Sequence, residues 1–171
     1  YISDNGSITA SLYDGTYILY IRAYDKAGNV AIARIIITID TKPPEISILS
    51  PSNQSLFNTS TIELSWIVEE DHIYTITIIL NGTPHVSTTT LRESLLLELN
   101  SDGIWFISIM AKDMAGNSQI STIIVWMDTT EPMLRIIRPE NYTSVSNKSF
   151  RVVWVANDSL GIYGYYIRID N

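Results

Sequence analysis

Residues 61–68, Thr-Ile-Glu-Leu-Ser-Trp-Ile-Val, alternate in polarity: Ile62, Leu64, Trp66 and Val68 share one face, with Glu63 and Ser65 on the other. A period of two marks a strand with one face buried, so Trp66 is expected in a core. Residues 73–80 (IYTITIIL) are rich in β-branched side chains and stop at Asn81-Gly82. That dipeptide favours a two-residue hairpin turn, because both positions tolerate positive φ. Residues 94–100 and 103–113 form two more apolar runs joined by a short Ser-Asp-Gly turn, and 119–127 adds a last one. Pro44, Pro51, Pro84 and Pro132 fall at strand starts or in loops, where a missing N–H breaks no ladder. No stretch carries helical periodicity. The pattern predicts an all-β chain built as a β-sandwich.

The chain also matches itself at an offset of 88 residues. Asp25-Lys-Ala-Gly28-Asn29 falls on Asp113-Met-Ala-Gly116-Asn117, and Asp14-Gly15 on Asp102-Gly103. Asp40-Thr41 falls on Asp128-Thr129, Pro51 on Pro139, and Trp66 on Trp154. Beyond the tryptophan the register slips by one, so Ile73-Tyr74 answers Ile162-Tyr163. The frame predicts a complete sandwich repeat over 41–128, the C-terminal half of a repeat over 1–40 and the N-terminal half over 129–171. Trp154, like Trp66, is expected to be buried. The two half-repeats are expected to complete one another between copies, head to tail.

The repeated Asp-x-Ala-Gly-Asn is expected to be a hairpin corner. Gly28 and Gly116 supply positive φ after a turn, and Asp25 and Asp113 accept backbone N–H groups across it. The rival reading of a repeated Asp is a metal ligand.

These stretches resemble the immunoglobulin-like and fibronectin type III-like tandem repeats of microbial cell-surface proteins. "LSW" (64–66) resembles the second-strand tryptophan of fibronectin type III modules. "DGTYILYIRAYDKAGN" (14–29) and "DGIWFISIMAKDMAGN" (102–117) resemble their last hairpin, and "DTKPPEISILSPSN" (40–53) their opening linker. "DTTEPMLRIIRPEN" (128–141) repeats that linker with Glu131 in place of the first proline. The antibody-type cysteine pair has no counterpart, since the chain holds no cysteine. The resemblance implies modules that adhere, space or assemble.

Composition narrows the partners. A net charge of −7 disfavours a nucleic-acid backbone, which needs basic patches. No apolar run reaches the length of a membrane helix, about 20 residues. His72 and His85 are the two histidines, and neither sits in a triad-like or zinc-like motif, so no catalytic or cofactor site is expected. Asn-x-Ser/Thr occurs at Asn5, Asn53, Asn58, Asn81, Asn141, Asn147 and Asn157, where roughly two such sites would arise by chance. All seven fall in predicted loops or strand ends, which an attached glycan requires. N-linked glycans are therefore expected on an extracellular protein. Abundant Ile and Tyr with few Lys resemble surface proteins of thermophilic archaea.

One acidic set stands out. In such a sandwich the incoming linker, the loop after the Trp66 strand and the last hairpin meet at one end. That would gather Asp40, Glu69, Glu70, Asp71 and Asp113, hard oxygen donors suited to Ca²⁺. The expectation is a structural subunit of an extracellular filament or surface layer. The alternative is an adhesin stalk or a carbohydrate- or protein-binding module of a larger secreted protein.

Overall fold

A computed structural model of the chain describes residues 5–170, and every regular element in it is a strand. In chain order these are β1 (Gly15–Tyr24), β2 (Val30–Ile39), β3 (Glu45–Ser50), β4 (Ser55–Phe57), β5 (Thr61–Glu69), β6 (Ile73–Leu80), β7 (Thr83–Thr88), β8 (Arg92–Glu98), β9 (Gly103–Asp113), β10 (Ser118–Met127), β11 (Met133–Arg138) and β12 (Val153–Asn157).

Strands β3 to β10 build one two-layer sandwich. One sheet has the order β3-β5-β8, the other β4-β10-β9-β6-β7. The alternation in β5 buries Ile62, Leu64, Trp66 and Val68. Facing them are Ile76, Ile78 and Leu80 of β6, Ile107, Ile109 and Ala111 of β9, and Ile123, Val125 and Met127 of β10. Burying each large aliphatic side chain contributes about 1.5–3 kcal/mol. The Trp66 indole N–H donates to the Thr90 carbonyl at 3.3 Å, so the ring is buried without orphaning its one polar atom.

Local chemistry explains the connections. Asn81 (φ 49°) and Gly82 (φ 82°) turn β6 into β7, the left-handed pair that the Asn-Gly dipeptide favours. Pro84 sits inside β7, which is an edge strand and tolerates a missing donor. The short Ser-Asp-Gly turn passes from β8 in one sheet to β9 in the other. Strand β4 runs parallel to β10, pairing Ser55 with Val125 and Phe57 with Met127. It falls where the sequence pattern suggested only loop.

Two smaller ladders flank the sandwich in sequence. Strands β1 and β2 form an antiparallel hairpin, and β11 pairs antiparallel with β12. The β1–β2 hairpin keeps the register of β9–β10, with Gly15 opposite Ile39 as Gly103 is opposite Met127. Its apolar side chains Ile18, Leu19, Tyr20 and Ile21 are nonetheless exposed. Trp154 is half-buried rather than buried, resting edge-on against Tyr165 with ring centroids 5.3 Å apart. Its local pattern matches that of Trp66, but among the described residues β12 pairs with β11 in a two-stranded sheet.

Replacing Trp66 with Ala is expected to destabilise the sandwich by about 3–5 kcal/mol in urea unfolding followed by far-UV circular dichroism. Replacing the exposed Leu96 of β8 with Ala should shift stability by less than about 0.5 kcal/mol.

Candidate functional site

The recurring Asp-x-Ala-Gly-Asn stretches join β1 to β2 and β9 to β10. Gly28 has φ 90° and Gly116 φ 103°, a region that side chains with a Cβ avoid. In each corner the Asp N–H donates to the Asn carbonyl at 3.0 Å, closing the ladder. The Asp25 carboxylate accepts from the Asn29 N–H (2.8 Å) and Asn29 Nδ2 (2.6 Å). Asp113 accepts from the N–H groups of Gly116 (2.6 Å) and Asn117 (2.8 Å) and from Asn117 Nδ2 (2.8 Å). Asn117 Nδ2 also donates to the Asp40 carbonyl at 3.1 Å, tying the corner to the incoming linker.

The two corners differ in burial. Asp25 is exposed, whereas Asp113 is 1% exposed. For Asp113, desolvation is the largest influence and opposes ionisation. The hydrogen bonds from the Asn117 side chain and from the Asn117, Gly116 and Ala115 backbone outweigh it together, and the pKa lies below the usual aspartate value. Asp25 is also lowered, first by the Asn29 side chain and then by the Asn29 backbone. Both carboxylates act as anionic acceptors that hold a turn.

A second device recurs beside the first. Thr41 Oγ1 donates to Asp14 at 3.0 Å, and Thr129 donates to Asp102 through its N–H (3.0 Å) and Oγ1 (2.9 Å). Asp40 accepts from the Lys42 N–H, and Asp128 from the Thr130 N–H, each at 3.1 Å. The repeated Asp-Thr linker is thus strapped to the Asp-Gly turn before it.

The structure brings Asp40, Glu70 and Asp113 together, with one carboxylate oxygen of each within 4.8 Å of the others. Glu69 and Asp71 do not join this trio. Both are exposed and line an open depression with Asp14, Asp40, Glu70 and His72. Of the five residues expected to gather, the structure brings these three within reach of one another; Glu69 closes β5, and neighbouring residues of an extended chain point opposite ways. Each member of the trio already caps a turn, Glu70 by accepting the His72 N–H at 2.8 Å. Three carboxylates supply part of the 6–8 oxygens that Ca²⁺ takes.

All seven sequon asparagines are exposed. Asn53 Oδ1 accepts the Ile124 N–H and Asn81 Oδ1 the Phe106 N–H, each at 2.8 Å. The oxygen thereby anchors the loop while the amide nitrogen, the atom a glycan would occupy, is left available. Sequence reading missed this anchoring role; its only signal was the placement of Asn at turns. The aromatic residues divide: Trp105 is half-buried and donates its indole N–H to the Ser101 carbonyl, as Tyr17 donates to the Tyr13 carbonyl.

No protein-family profile matches the chain. In sequence it is similar to Chitinase A1 from Niallia circulans, at 30% identity over 132 residues, covering 68% of this chain and 18% of that protein. The chain thus spans less than a fifth of the length of that relative. Among solved structures it is similar to fibronectin(III)-like modules of Clostridium thermocellum CbhA, with TM-score 0.46 and 18% identity over 51% of this chain and 99% of that one. It is also similar to an engineered protein, with TM-score 0.40 and 16% identity over 50% and 20% of the respective chains. The archaeal origin expected from composition finds no support in the sequence relative. By its strand order the middle sandwich has the immunoglobulin-like, fibronectin type III-like architecture.

Replacing Asp113 with Ala should remove the shared acceptor of the Gly116 and Asn117 N–H groups in a part-buried turn and destabilise the sandwich by about 1–3 kcal/mol, while Asp25→Ala should have the smaller effect. Because the folded-state pKa of Asp113 is lowered, its contribution is full above the unfolded aspartate value, about 3.9, and is lost as pH falls through the folded-state value. Urea unfolding at pH 7 and pH 3 should show a loss on acidification that Asp113→Asn largely removes.

Proposed function

We propose that this chain is a run of tandem β-sandwich modules from a secreted or cell-surface protein, and that it spaces and presents other parts of that protein without itself catalysing a reaction. One observation carries the reading. The polar residues that recur at the 88-residue offset, Asp14, Asp25, Asn29, Thr41 and their counterparts Asp102, Asp113, Asn117 and Thr129, are committed to internal hydrogen bonds that shape corners and linkers. A repeat whose invariant polar groups hold its own frame is suited to being copied along a chain. The partial match to a chitinase supports a place within a larger secreted protein, and fold alone assigns no activity.

A second reading is a glycosylated structural subunit of a filament or surface layer. It is favoured by the seven exposed sequons. Asn53 and Asn141 stand 88 residues apart, each in the loop that follows the corresponding strand, β3 and β11.

The spacer reading predicts that the chain neither releases reducing sugar from chitin or cellulose nor is retained on either. Retention with a dissociation constant well below about 1 mM would instead make it a carbohydrate-binding module. For the glycoprotein reading, mass spectrometry of natively produced material should find hexose-bearing peptides at several sequons, led by Asn53, Asn58 and Asn141. Unmodified peptides at all seven would remove it.

A further inference from the structure

Two linkers join the middle sandwich to the ladders on either side. Residues 40–44 run from the end of β2 to the start of β3, and residues 128–132 from the end of β10 to the start of β11. Each begins with Asp-Thr and ends with a proline. Every residue of such a connection brings two soft backbone torsions, enough to let two ladders swing against each other.

The first linker loses most of that freedom to its own residues. Pro43 and Pro44 have φ fixed at about −65°, and the residue before each proline is confined to extended backbone. Pro44 is also fully buried. Asp40 and Thr41 keep ordinary freedom, and these two reach across the joint. Thr41 Oγ1 donates backwards at 3.0 Å to Asp14, in the turn that opens β1. The Asp40 carbonyl accepts at 3.1 Å from Nδ2 of Asn117, in the β9–β10 corner ahead. The Asp40 carboxylate accepts the Lys42 N–H at 3.1 Å, bracing the turn between them.

The second linker has one proline fewer, since Glu131 stands where the first has Pro43. Extra hydrogen bonds take its place. Thr129 donates backwards to Asp102 through both its N–H (3.0 Å) and its Oγ1 (2.9 Å). Thr130 donates to Asp128 through its N–H (3.1 Å) and Oγ1 (2.7 Å). The contact ahead comes from Ser159, beyond β12, whose hydroxyl donates to Asp128 Oδ2 at 2.6 Å. The order is the same at both joints: the turn behind holds the threonine, and the ladder ahead holds the aspartate. A lone exposed hydrogen bond competes with water and fixes little. Here the bonds act on the few torsions that remain free, so they have little chain entropy to oppose.

We infer that the two Asp-Thr linkers are rigid couplings that fix the angle between successive ladders, so the chain sets both distance and direction between the parts it joins. The coupling deepens the spacer reading and rests on that reading for its purpose. Asp14, Thr41 and Asn117 are the positioning residues of the first joint, and Asp102, Thr129 and Ser159 those of the second.

Backbone amide relaxation and residual dipolar couplings of the whole 171-residue chain test the coupling. We expect order parameters of about 0.85, the rigid-backbone value, at Thr41, Lys42, Thr129 and Thr130. Couplings from β1–β2 and from the middle sandwich should fit one alignment tensor. Thr41→Val removes the donor and keeps the shape, and Asp14→Ala removes the acceptor from outside the sandwich. Each should lower the order parameters at positions 41 and 42 below about 0.6 and require separate tensors for hairpin and sandwich. Urea unfolding of the middle sandwich should be unchanged in both, which separates loss of the joint from loss of the fold. Asn29→Ala removes a corner bond to Asp25 that reaches no linker, and should leave the joint rigid. Linker order parameters below about 0.6 in the unmodified chain, separate tensors for it, variants at positions 14 and 41 that keep a common tensor, or equal loosening by Asn29→Ala each overturn the inference. Retention on chitin or cellulose by a chain with a common tensor overturns the spacer reading alone.

Discussion

A β-sheet with one apolar face is stable only when another layer covers it. Everything in the middle sandwich follows from how β5 satisfies that constraint. Its inward row of Ile62, Leu64, Trp66 and Val68 meets the inward rows of β6, β9 and β10, and the buried residues form one continuous core. Trp66 is the largest of the fully buried side chains. Its Nε1–H bond to the Thr90 carbonyl fixes the segment leading into β8, so the same residue fills the core and positions the next strand.

Burial of the polar groups obeys a matching rule. A carboxylate removed from water must be fully satisfied. Asp113 meets this with three donors from its own turn, while Asn117 reaches back to the Asp40 carbonyl. Among the described residues no buried side-chain nitrogen or oxygen lacks a partner. The corner therefore works as a latch between the last hairpin and the incoming linker, and the Asp102–Thr129 strap at the other end of β9 holds the outgoing one.

Chemistry available to other molecules is left on the outside, in exposed asparagines at turns, an open acidic end and apolar strands that no other layer covers among the described residues. The exposed hydrophobic residues are concentrated in β1–β2, β11–β12 and the segment 160–169. They form contiguous stretches, such as Ile18 to Ile21, which separates them from scattered surface apolar residues that need no explanation.

What the sequence determined by itself is what short-range geometry decides. Alternation in β5 names its buried face, Asn81-Gly82 names a hairpin, and Asp113-x-x-Gly116-Asn117 names a corner, because each depends on residues a few positions apart. The tertiary structure alone decided the rest. The three-residue strand β4 is too short to show a period and exists because β10 offers it a parallel edge. Glu70 joins Asp40 and Asp113 while its neighbours Glu69 and Asp71 do not, since only the path of the chain selects which carboxylates converge. Trp66 and Trp154 make the point most plainly. They sit in the same local pattern and the same ladder register, yet one is buried and the other half-buried. A strand's own residues choose which face is apolar, but burial of that face requires a second sheet brought from elsewhere.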